Sequence, residues 1–277
     1  MESAEIYDIW RLLEHPRTFN EAEIRALCRT AYLGDTTMLC RVLGRYKMCV
    51  DTQDIGISSH LMLDGFWEMW VTEAMMRTVR RGSTVIDVGA NLGYFTLLLA
   101  DLTGSEGKAL SFEPNRALAE RARNSVEVNG FTPFATVHEC ALGGAEGFVT
   151  MDVQARQPGG GRVHDHTGSD LTGVVPVRRL DSFPEALDAE FIKIDVEGYE
   201  QQVWRGMTGI LARGQPLTIF MEFTVGRYPD PRGFLDEIVG EGFTLEIVDY
   251  FGGIRATTIE EIMGRPHNID HMLCFRR

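Results

Sequence analysis

Residues 84–94 read TVIDVGANLGY, and the fold of the chain is decided there. The run Thr84–Val88 is β-branched and apolar, without the polar alternation of an open sheet, so it reads as a strand buried on both faces. It passes through Gly89 directly into a helical pattern over 91–101. A strand-to-helix turn this tight needs a residue free of the usual backbone limits at position 89, and Gly93 leaves the first helical turn bare enough for a ligand to approach. Asp87 places an acid at the carboxyl end of the strand.

The same alternation extends in both directions. Downstream, strand patterns at 109–113 and 135–139 flank a helix at 115–129, and the rhythm returns with a strand at 191–195, a helix at 200–211 and a strand at 217–223. A helix at 232–240 and strands at 243–248 and 271–275 complete it. Strands alternating with helices predict an α/β fold on a mostly parallel sheet, with ligands at the carboxyl edge of the strands. Between 147 and 177 the rhythm breaks around QARQPGGGRVHDHTGSD, whose glycines and polar residues predict a mobile, lid-like loop over 154–172. Upstream, Ile9, Leu12 and Leu13, then Ile24 and Leu27, then Leu39, Val42 and Leu43 recur at helical spacing. Residues 1–80 are therefore expected to form a helical cap suited to self-association, and 81–277 the ligand-binding domain.

The 277 residues, 44% hydrophobic and 24% charged, describe an ordinary globular chain with enough length for one large core. A net charge of −13 argues against a nucleic-acid partner, because phosphate recognition needs clustered Lys and Arg. The basic clusters Arg77–Arg80–Arg81, Arg178–Arg179 and Arg276–Arg277 read as solvated surface. Five cysteines without a C-x-x-C pair offer neither a zinc site nor a disulfide framework. The acidic start MESAEIYDIW lacks the layout of a signal peptide, and no apolar run approaches the roughly 18 residues of a membrane span. A cytoplasmic protein without a membrane partner is expected.

The turn itself distinguishes between cofactors. In the dinucleotide frame G-x-G-x-x-G the second and third glycines are replaced by Asn91 and Tyr94, which weakens a nicotinamide reading. S-adenosylmethionine carries a sulfonium and an amino-acid group in place of a pyrophosphate, and an acid ahead of the turn suits it better. Glu113 ends the second strand roughly 20–25 residues after the turn, where a ribose diol is bound in either reading.

Four stretches together resemble the FkbM family of methyltransferases: DVGANLGYFT at 87–96, SFEPN at 111–115 with its helix running to Asn124–Gly130, FIKIDVEGYEQQVWRGM at 191–207, and IFMEF at 219–223. The resemblance spans roughly residues 65–223. It implies the class I methyltransferase fold, a Rossmann-like, seven-stranded, mostly parallel sheet, with S-adenosylmethionine as cofactor and S-adenosylhomocysteine as product. It implies O-methylation of a hydroxyl on a sugar or natural product, with N-methylation of a peptide or natural-product nitrogen as the alternative. A nicotinamide oxidoreductase and a non-catalytic cofactor-binding protein are the other readings.

On this reading cofactor contacts are expected from Asp87, Gly89, Asn91, Gly93 and Tyr94, from Glu113, Pro114 and Asn115, and from Cys140 and Ala141 beside the adenine. His60 and Glu68 are expected over the methionine end. Asp195 and Glu197 close the fourth strand at the same edge and are the catalytic candidates, as base or as positioning groups for the acceptor. Helix capping is the competing explanation for them. A divalent metal is possible but not favoured, and Asp195, Glu197 and Glu222 could supply its oxygen ligands. Lys193, in an apolar strand, reads as a paired structural charge, and His164 and His166 as acceptor-side candidates.

Overall fold

The computed structural model describes residues 6–154, 156–166, 172–251 and 253–277. After a 3₁₀ turn at Ile9–Leu13 come helix α1 (Arg17–Leu27), strands β1 (Thr30–Gly34), β2 (Thr37–Val42) and β3 (Tyr46–Asp51), and helices α2 (Ile57–Leu63) and α3 (Met69–Thr78). The α/β part runs β4 (Thr84–Val88), α4 (Tyr94–Thr103), β5 (Lys108–Phe112), α5 (Arg116–Val128) and β6 (Ala135–His138). Next come β7 (Ala141–Leu142), β8 (Gly147–Gln154), β9 (Gln157–Asp165) and β10 (Val174–Arg178). The chain finishes with β11 (Ala189–Ile194), α6 (Glu200–Arg205), α7 (Thr208–Leu211), β12 (Thr218–Phe223), α8 (Pro231–Gly240), β13 (Thr244–Asp249), β14 (Gly253–Ala256), α9 (Ile259–Met263) and β15 (His271–Arg276).

The main sheet has the order β14-β13-β15-β12-β11-β4-β5-β6. Pairings from β12 through β11, β4 and β5 to β6 are parallel, and β15 runs antiparallel to both its neighbours. The seven strands from β13 to β6 are the expected sheet, and β14 adds an eighth at the edge. Alternate residues feed two cores. Val85, Ala109, Phe191 and Phe220 pack with α3, α4 and α5 on one face, while Ile86, Leu110, Ile192 and Ile219 pack beneath α6 and α8 on the other. Burial on both faces accounts for the continuous apolar runs. Among the described residues no helix is long and apolar enough to cross a membrane.

Two expectations require correction. The amino-terminal region is helical only in part: residues 30–51 form a three-stranded antiparallel sheet of order β1-β2-β3. Leu39, Val42 and Leu43 do not share a helical face. Cys40 and Val42 are buried at a period of two, and the segment is cut by turns with positive φ at Asp35, Thr36, Leu43 and Gly44, which leaves pieces too short to propagate a helix. The stretch expected as a lid-like loop is largely an antiparallel hairpin, with Thr150 opposite His164 and Met151 opposite Val163. Gly159 packs closely on the turn after β4, since a Cβ there would overlap the Asn91 side chain. Residue 155 and residues 167–171 of that stretch lie outside the described residues.

Candidate active site

Strand β4 ends against its neighbours in a way that fixes the turn. The Gly89 and Ala90 amides both donate to the Phe112 carbonyl, at 3.0 Å each, and the Asp195 amide donates to the Val88 carbonyl at 3.1 Å. Gly89 takes φ 77°, and a Cβ there would overlap the Asp195 carbonyl, so glycine is needed for both backbone angle and space. Gly93 serves differently from the expectation. At φ 90° its absent side chain admits Ala122 of α5, whose Cβ would lie 3.0 Å from a Gly93 Cβ, so it brings helices together rather than baring the turn to a ligand.

Asn91 is left-handed, at φ 51°, and its amide donates to Glu113 Oε2 at 2.8 Å, while the Asn115 amide donates to Oε1 at the same distance. Glu113 is 4% exposed, and burial lifts its carboxyl to about 7 against the pull of those two amides. Each oxygen retains one acceptor position, the pair a vicinal diol requires. Asn115 caps α5, its Oδ1 accepting from the Ala117 amide at 3.0 Å.

These ends surround a cavity of about 320 Å³. Of the candidates named from sequence, Gly89, Asn91, Tyr94, Glu113, Pro114, Cys140, Ala141, Glu68, Asp195 and Glu197 line it. Asp87, Gly93, Asn115 and His60 do not. Asp87 points to the α4 face of the sheet, where it is 1% exposed, accepts from Thr96 Oγ1 at 2.7 Å and lies 3.6 Å from Lys193 Nζ. The strand register sets Lys193 beside Asp87, which makes Lys193 the paired charge expected of it. His60 packs against Trp67 with ring centroids 5.2 Å apart and the planes tilted by 54°, its side chain half exposed. His164 and His166 stay on the hairpin, beside Asp152 and Thr150.

The opposite wall is acidic. Asp195 accepts from Lys193 Nζ at 3.2 Å, and Glu197, Glu222 and Asp270 gather around the Arg227 guanidinium, Glu197 at 2.8 Å and Asp270 at 3.3 Å. Burial and then the Asp195 charge raise the Glu222 carboxyl well above the usual range, against Arg227. Helix capping does not explain these acids. The turn after β11 is held by Glu200, which accepts from the Val196 and Gly198 amides at 3.1 Å each and from the Tyr228 hydroxyl at 2.5 Å. Asp195 and Glu197 are thereby free to face the cavity.

Comparison with known proteins settles the family. The model of the FkbM methyltransferase domain matches residues 87–257, more than half of the chain. The chain belongs to the FkbM methyltransferase family. Methyltransferase 1 of Beauveria bassiana is 24% identical over 147 residues, 45% of this chain and 58% of its own length. A protein-L-isoaspartate O-methyltransferase of Methanococcoides burtonii is 31% identical over 61 residues, 22% of this chain and 30% of its own. The chain thus spans less than two thirds of either relative. An O-methyltransferase from Bacillus cereus, solved in complex with SAH, is similar at TM-score 0.44 and 14% identity, covering 80% of this chain and 87% of that one.

In this FkbM protein several residues in or beside the cavity carried no sequence signal of their own. Asp270, which lines it, precedes β15, and Arg227, which pairs with its carboxylates, follows β12, so chain distance separates both from the Asp195 turn. Asp54, Gly56 and Ile57 come from the amino-terminal segment, and Met151, Gly159, Gly160, Gly161 and Val163 from the hairpin. Asp195, Glu197 and Glu222 offer oxygens within 4.8 Å of one another, a set able to hold a divalent cation, but Arg227 already pairs with two of them.

Proposed function

We propose that this FkbM methyltransferase moves the methyl group of S-adenosylmethionine onto a neutral hydroxyl of a sugar or natural product. The supporting observation is the carboxylate wall of Asp195, Glu197 and Glu222 facing the cofactor turn across one cavity. The cofactor supplies an electrophilic methyl on a positive sulfur. As that methyl passes to a neutral oxygen, positive charge moves toward the acceptor, and fixed carboxylates on that side stabilise it. Asp195, held by Lys193 at the cavity wall, takes the hydroxyl proton. Glu113 receives the ribose hydroxyls, Cys140 and Ala141 flank the adenine, and the Gly89–Asn91 turn and Tyr94 close around the sulfur.

The test uses methyl-labelled S-adenosylmethionine with a panel of sugars bearing hydroxyl, amine or carboxylate groups. Label is expected on oxygen of an uncharged hydroxyl. Asp195→Asn should lower transfer by roughly 10²-fold or more, with affinity for S-adenosylhomocysteine nearly intact by calorimetry. Label on nitrogen, or an Asp195→Asn enzyme as fast as the parent, overturns the reading.

A further inference from the structure

The carboxylates that line the cavity divide into those already held and one that is not. Asp54 accepts from the Gly56 and Ser58 amides, Glu113 from two amides, Asp195 from Lys193, and Glu197, Glu222 and Asp270 pair with Arg227. Glu68 has no hydrogen bond or ion pair within reach among the described residues, although its carboxylate faces the same space. Its backbone is also left-handed, at φ 37°, immediately before α3. A glutamate held in this region costs on the order of 1 kcal/mol or more, and such strain persists where the surrounding fold fixes a side chain in place.

The field around Glu68 is short of positive charge. Among the described residues Lys193 is the one ammonium acting on it, and Asp87 and Asp195 already share that group at 3.6 and 3.2 Å. Burial and then the Asp195 charge push the Glu68 carboxyl up to about 7, the response of an acid waiting for a cation. The direction of the cofactor follows from the sheet. With adenine at Cys140 and Ala141 beyond β6 and ribose at Glu113 on β5, the cofactor runs along the sheet edge toward β4 and β11. Its amino-acid end then emerges over Lys193 and Asp195, where Glu68 stands.

We propose that Glu68 is the anchor for the α-ammonium of the cofactor's methionine moiety. The inference rests on the methyltransferase reading and adds which group holds the amino-acid end. A charge-assisted bond there gives Glu68 the partner it lacks and fixes the sulfur that lies a short chain away.

Calorimetry of the full chain with two probes tests this: S-adenosylhomocysteine, and its deaminated analogue S-adenosyl-4-thiobutyrate, which lacks only the ammonium. The parent should prefer S-adenosylhomocysteine, and Glu68→Gln should lower that affinity about 10- to 100-fold while leaving the analogue no weaker, so that the preference disappears. Glu68→Asp, which keeps the charge, should recover part of it. Equal weakening of both probes by Glu68→Gln marks a structural role, and a parent that does not distinguish the probes places the ammonium elsewhere; either overturns the anchor. A parent that binds neither probe overturns the cofactor reading beneath it.

Discussion

The two walls of the cavity are built by different means. One wall, proposed to hold the cofactor, comes from consecutive residues, the Gly89–Asn91 turn and the Glu113–Asn115 turn, and works through main-chain geometry: amides donated to the Phe112 carbonyl and to Glu113. The other wall, proposed to meet the acceptor, is gathered from the Asp195–Glu197 turn, Glu222 and Asp270, the last three carboxylates paired with Arg227, and works through side-chain charge. Backbone geometry tolerates little variation because one added atom collides with main chain. Charge can be balanced by different partners, so this wall is where members of one fold can differ in acceptor.

The contrast predicts that damage to the first wall is structural. Gly89→Ala places a Cβ on the Asp195 carbonyl at a left-handed position, and should cost about 4 kcal/mol or more, lowering the melting temperature by roughly 10 °C or preventing folding. Gly147→Ala, with open space around its position, is the control and should melt with the parent. A Gly89→Ala protein as stable as the control would show that the two turns separate easily and that the close approach is not needed.

Lys193 is where the walls meet, since its ammonium serves Asp87 under the turn and Asp195 in the cavity. Lys193→Met keeps the length of the side chain but takes the counter-charge from Asp195 and from Asp87, which is buried with, among the described residues, only the Thr96 hydroxyl to donate to it. Loss of one member of a buried ion pair costs about 3–5 kcal/mol, and urea unfolding should show a loss on this scale. Restoration of stability by adding Asp87→Asn would confirm that the loss comes from the stranded charges. Failure of the second change to help would assign it to packing against Phe95, whose ring centre lies 5.1 Å from the ammonium.

The difference between the walls also accounts for what the sequence disclosed. The run 84–94 contained the strand, the turn and the helix in consecutive residues, so both fold and cofactor edge could be read from it. Glu113 was legible because strand ends of this topology recur at a fixed spacing. Asp87 was misplaced because a one-residue step along a strand reverses the face, and the cavity begins at Val88 rather than at Asp87. Arg227 and Asp270 could not be found by spacing, because they reach Glu197 through the sheet order, which brings β12 and β15 together from opposite chain directions. The same holds for residues 30–51, where turn residues with positive φ outweighed an accidental helical spacing.

The smallest expected effect is on pH dependence, and it has opposite signs for stability and for binding. Burial raises the carboxyls of Glu113 and Glu68 from the ordinary range to about 7. Between pH 4.5 and 7 the unfolded chain has released these protons while the fold still holds them, so the free protein loses stability as pH rises, by on the order of 1 kcal/mol per pH unit for each group. Binding follows the other direction. Ribose hydroxyls donate best to an ionised Glu113, and an ammonium needs an ionised Glu68, so affinity for S-adenosylhomocysteine should rise by about tenfold from pH 6 to pH 8. Part of that rise should vanish in Glu68→Gln and part in Glu113→Gln, which assigns each share to a carboxylate. Calorimetry in buffers of different ionisation enthalpy should show net proton release on binding at pH 7. Proton uptake, or an affinity that falls over this range, would mean that the cofactor favours the neutral carboxyls, and that the charge contrast between the two walls has been read with the wrong sign.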